Sequence, residues 1–103
     1  MDAQVTNLVI PYPQIRAFCE RNHIRKLALF GSVLRRDFRP DSDVDVLVEY
    51  EPGAKVTYLD MADQEIELSR MIGRKVDLRE PDELSRYFRD KVVATAVNIY
   101  ERD

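Results

Sequence analysis

The chain has 103 residues, enough for one domain spanning 1–103, with 45% hydrophobic residues, 34% charged residues, 3 glycines and 5 prolines, a composition that excludes disordered and fibrous classes. A net charge of -3 argues against direct nucleic-acid binding through a generic basic surface. The single Cys19 rules out an internal disulfide and suits a reducing compartment. No stretch reaches the roughly 18 apolar residues of a bilayer span, Met1 to Ile10 does not read as a leader, and the expected location is the cytoplasm.

After a short arm, Pro11 and Pro13 open a first helix with Ile15, Phe18 and Cys19 at helical spacing, ending near Asn22. His23 is expected at the surface, and Cys19 reads as a small buried thiol. "IRKLALF", Ile24 to Phe30, is a strand, broken by Gly31 and Ser32, with Ser32 capping a short helix to about Arg36. "DVDVLVEY" alternates, placing Val44, Val46, Val48 and Tyr50 on one face and Asp43, Asp45, Leu47 and Glu49 on the other. Glu51 to Val56 is a loop, and Thr57 with Asp60 forms a capping box for a helix that stops at Gly73. Its apolar stripe is read as Leu59, Ala62 and Ile66, widened by Met61, Leu68 and Ile72.

"RKVDL", Arg74 to Leu78, is a third strand carrying Asp77, and Pro81 with Asp82 opens a last helix. Leu84, Phe88, Val92, Ala96 and Ile99 form its apolar stripe, with Val93, Val97 and Tyr100 beside it. The expected architecture is α/β (α+β): a three-stranded sheet with helices packed on it.

Aspartate is disfavoured in strands, so Asp43 and Asp45 on one face call for a reason. Side chains two apart on a strand point the same way, and Asp77 from a neighbouring strand would make three carboxylates. Two such charges about 5 Å apart at an effective dielectric near 20 repel by roughly 3 kcal/mol. A divalent cation relieves that repulsion, and an all-oxygen donor set suits Mg²⁺, with Mn²⁺ the alternative. A calcium loop starting at Asp41 fails, because Val46 stands where the turn needs glycine and Pro52 where a bidentate glutamate belongs. Gly31 and Ser32, ten residues ahead of Asp43, place a phosphate-gripping turn opposite the carboxylates. Arg35, Arg36 and Arg39 lie between them and would add positive charge near a triphosphate.

Gly31, Ser32, Asp43 and Asp45 match a G-S-x₁₀-D-x-D signature. With "LFGSV", "RPDSDVDVLVE" and "GRKVDL" around it, the chain resembles the minimal nucleotidyltransferases, the MNT proteins of the polymerase-beta-like superfamily. The resemblance implies a mixed-sheet nucleotidyltransferase core, ATP as substrate, and Gly31 and Ser32 on the triphosphate. It also implies two Mg²⁺ ions on Asp43, Asp45 and Asp77, with Asp77 as base or orienter for the attacking hydroxyl. Many relatives carry Arg-Gly after the small helix, whereas here Asp37 follows Arg36. Such proteins act as antitoxins by complexing and adenylylating a HEPN-type helical ribonuclease toxin, which implies a hetero-oligomer. Two other readings compete: a catalytically silent module that masks its partner, and a small-molecule adenylyltransferase of the aminoglycoside type.

Overall fold

The computed structural model describes residues 8–34 and 42–102, and within them three helices and four strands follow one another. Helix α1 spans Tyr12–Arg21, with Pro13 in its first turn, where a missing N–H costs nothing. It buries Ile15, Phe18 and Cys19. Its end is closed by Asn22, whose side-chain amide donates to the Phe18 carbonyl (2.9 Å), and by exposed His23 in the left-handed region at φ 57°.

Strand β1 is Ile24–Phe30, a 3₁₀ turn covers Gly31–Leu34, and β2 is Val44–Tyr50. The turn's end near Arg36 lies outside the described residues. Helix α2 spans Tyr58–Ile72, and β3 is Val76–Arg79. Asp60 N–H donates to the Thr57 hydroxyl (3.1 Å) and Thr57 N–H to the Asp60 carboxylate (2.9 Å), the expected capping box. Gly73 ends the helix in the left-handed region at φ 79°.

The chain then departs from the expected long helix. A 3₁₀ turn at Pro81–Glu83 leads to a short α3, Arg89–Thr95, and a fourth strand, β4, Val97–Glu101. Two local causes are visible. The Arg89 guanidinium donates to the carbonyls of Pro81 (2.9 Å), Asp82 (3.3 Å) and Leu84 (3.0 Å), holding that turn apart from the helix. Ala96 is extended, and "VNIYE", rich in β-branched and aromatic residues, pairs with the otherwise open edge of β1.

The sheet order is β3-β2-β1-β4, with β1 antiparallel to both β2 and β4, and β2 parallel to β3. The mixed sheet is as expected; its strands number four rather than three. One face, carrying Leu27, Leu29, Val44, Val46, Val48, Val76, Leu78 and Ile99, packs on α1 and α2 as the main core. On the other, Ala28, Phe30 and Leu47 meet Leu84, Val92 and Ala96. The expected C-terminal stripe is therefore divided: Leu84, Val92 and Ala96 cover this second face, while Ile99 enters the main core from β4.

The stripe expected on α2 is also corrected. Met61, Gln64 and Leu68 are buried, whereas Leu59 is 79% and Ile66 52% exposed. The inward arc is centred on Leu68, and Leu59 and Ile66 fall on the opposite side of the helix. Gln64 belongs inside because the Tyr50 hydroxyl donates to its side-chain carbonyl (2.5 Å). Outward N–H groups of edge strand β3 are likewise satisfied by α2: Val76 donates to the Ser69 hydroxyl (3.0 Å) and Leu78 to the Glu65 carboxylate (2.7 Å).

Cys19 is fully buried, and burial, helped by the Glu20 charge, pushes its thiol from about 9 up to about 12. Because the folded value is the higher one, the unfolded chain ionises first, and stability falls as pH rises from 9 toward 12. At pH 8 the native thiol is expected to resist Ellman's reagent, with full reaction on adding denaturant.

Candidate active site

The site lies at one end of the sheet, where β1 stops and β2 and β3 start. Phe30 pairs with Asp45, and Asp45 with Asp77. Val44, Val46, Val76 and Leu78 point into the main core, so strand alternation puts Asp45 and Asp77 side by side on the face away from α1 and α2.

Gly31 sits against Asp45. It has φ +78°, and a Cβ added there would stand 2.4 Å from Asp45 Oδ2. Only glycine both takes this conformation freely and leaves room for the carboxylate. Ser32 follows, half-buried, with buried Val33 anchoring the turn in the main core.

Asp43 does not open the strand as expected; β2 begins at Val44. Its pairing with β1 ends at Phe30 and Asp45, because the chain turns away at Gly31. Asp43 Oδ2 lies 3.9 Å from Lys75 Nζ, with the two side chains 48% and 78% exposed. Arg74 donates to the Ser42 carbonyl (2.8 Å) and so ties down the backbone beside Asp43. Asp77 accepts from the Arg79 guanidinium at 3.2 Å.

The structure thus brings Asp45 and Asp77 together, with Asp43 one residue beyond the strand. Among the described residues no three histidine, cysteine, aspartate or glutamate side chains gather as a ready metal cluster. Exposed ion pairs such as Asp43–Lys75 and Asp77–Arg79 contribute roughly 0–1 kcal/mol, so they would be a small obstacle to a cation binding these carboxylates. The donor set is all oxygen and suits a hard ion such as Mg²⁺ or Mn²⁺.

Arg35 and Arg36, expected to add charge near a triphosphate, lie outside the described residues, as do Arg39, Asp37 and Asp41. Sequence reasoning did not single out Lys75 and Arg79. Their signal was present, since Asp77 and Arg79 alternate along β3 and Lys75 stands one residue ahead of it at the same spacing.

A polymerase beta nucleotidyltransferase family model matches residues 13–103. The protein adenylyltransferase MntA of Thermococcus cleftensis is 37% identical over 59 residues, covering 57% of this chain and 58% of that protein. A solved structure assigned as a minimal nucleotidyltransferase is 32% identical, with TM-score 0.68, covering 84% of this chain and 86% of that one. A toxin–antitoxin complex with AMP-PNP contains a chain 18% identical, with TM-score 0.70, covering 91% of this chain and 76% of that one; this likeness shows the fold alone.

Proposed function

Because this chain belongs to the polymerase beta nucleotidyltransferase family, we propose that it transfers AMP from ATP to a hydroxyl of a partner protein, and is the antitoxin of a HEPN-type ribonuclease toxin. The observation that carries this is the seating of the Asp45 carboxylate where a side chain on Gly31 would stand, with Asp77 in register beside it. It sets one carboxylate directly against a glycine-serine turn and a second beside it on the next strand. The partner class is supported by fold likeness to chains of toxin–antitoxin complexes, and the reaction by similarity to a protein adenylyltransferase.

The chain's own residues divide the work. The Ser32 hydroxyl donates to a phosphate oxygen of ATP, and Gly31 keeps the turn close against Asp45. Asp45 and Asp77, with Asp43 exchanging Lys75 for the ion, are the residues that would hold Mg²⁺. Magnesium, when bound, lowers the pKa of an attacking hydroxyl and neutralises charge on phosphate and leaving pyrophosphate. Asp77 orients the acceptor hydroxyl and takes its proton, its exchangeable contact with Arg79 leaving an oxygen accessible. The short sheet end leaves the acceptor to be presented by another macromolecule, which then contributes most of the positioning.

The test is AMP transfer from labelled ATP to a co-expressed toxin partner in the presence of Mg²⁺. Asp43→Ala and Asp45→Ala are each expected to lower transfer by at least about 100-fold, equivalent to about 2.7 kcal/mol of barrier. Unchanged labelling in both variants would remove the enzyme reading. Protection of cells by the same variants without labelling would replace it with neutralisation by masking.

A further inference from the structure

The solvent side of α2 repeats Leu59, Asp63, Ile66 and Arg70, spaced by four, three and four residues. That is the spacing of a helix-pairing seam, and all four side chains are exposed. The seam lies opposite the inward arc of Met61, Gln64 and Leu68, so it plays no part in the core. We propose that α2 pairs antiparallel with α2 of a second copy of this chain, about a two-fold axis near Ile66.

Charge placement identifies the occupant. Asp60 closes the capping box, Glu65 accepts from Leu78 N–H, and Glu67 pairs with Arg21 at 2.7 Å. Asp63 and Arg70, by contrast, have no hydrogen-bond or ion-pair partner among the described residues. They stand two turns apart, an acid toward the start of the helix and a base toward its end, on either side of Ile66.

A two-fold axis midway between them sets Asp63 against Arg70 of the partner subunit, and Arg70 against Asp63 of the partner subunit. The same operation packs Ile66 against Ile66 of the partner subunit, while each Leu59 reaches just past the end of the other helix. A parallel pair would oppose like charges. The seam is therefore self-complementary in one orientation only.

One helix pair buries less than the roughly 800 Å² per partner of a standard interface, so self-association is expected in the range of tens to hundreds of micromolar. Sedimentation equilibrium of the full chain over about 10 to 500 µM measures it. Asp63→Arg or Arg70→Asp alone opposes like charges twice and is expected to weaken the dimer by about tenfold or more. The double swap Asp63→Arg/Arg70→Asp restores opposite pairs and should recover affinity to within about threefold of the original. Ile66→Glu should leave a monomer with unchanged far-ultraviolet circular dichroism. A chain monomeric throughout, a dimer indifferent to the single swaps, or a double swap as weak as the singles would each overturn the proposal.

Discussion

Gly31→Ala is expected to cost this protein nearly all of its transfer activity while leaving it folded. The added Cβ would meet Asp45 Oδ2 at 2.4 Å, Cγ at 3.3 Å and Cβ at 3.5 Å. The carboxylate terminates a short side chain, so it shifts before the backbone does. A left-handed conformation for alanine costs roughly 1–2 kcal/mol, a melting-temperature loss of about 4–16 °C for a domain of this size. On the proposed mechanism, in which catalysis is electrostatic and positional, displacing one carboxylate should lower transfer by at least about 100-fold.

Gly53→Ala is the control. Gly53 has φ +83° with nothing within 4 Å of an added Cβ, so it carries the same backbone cost without touching Asp45. Comparable melting losses with activity lost only in Gly31→Ala would support the seating of Asp45. Equal activity in the two variants would refute it.

Leu29→Ala is expected to have the largest effect on stability. Leu29 is fully buried in β1, paired with Val46 on one side and Val97 on the other. Removing a leucine from such a position typically costs about 2–5 kcal/mol, transfer and cavity contributions together. A domain of this size holds about 5–15 kcal/mol in all, so the variant should unfold at much lower urea with an unchanged m-value. Val93→Ala, in short α3 with the valine 42% exposed, should cost less than about 1 kcal/mol. Similar costs at both positions would mean that the core is not centred on β1.

The sequence patterns that read correctly were those fixed by local physics. Pro11 and Pro13 marked the start of α1, Thr57 and Asp60 the start of α2, Gly73 its end, and the alternation of Val44, Val46 and Val48 the buried face of β2. Tertiary context decided the rest. On α2, Leu59 and Ile66 are as apolar as Met61 and Leu68, and only the position of the sheet selects which pair turns inward. At the C-terminus, Leu84, Val92, Ala96 and Ile99 have helical spacing, yet the open edge of β1 recruits Val97–Glu101 as a strand.

The candidate site divides in the same way. That Asp45 and Asp77 point to one side of their strands and that Gly31 ends β1 was legible, because strand alternation and glycine conformation are local rules. That Asp43 falls outside β2 depends on where β1 ends, and that Gly31 makes room for Asp45 depends on pairing between the two strands. Neither can be read from spacing alone.

Isothermal titration of the purified chain with ATP, with and without Mg²⁺, tests the central claim most directly. A carboxylate pair facing a glycine-serine turn should bind ATP at least about tenfold more tightly when Mg²⁺ is present, and Asp45→Asn should abolish that gain. ATP binding equally well in the presence and absence of Mg²⁺, or an Asp45→Asn chain that keeps the full gain, would contradict it.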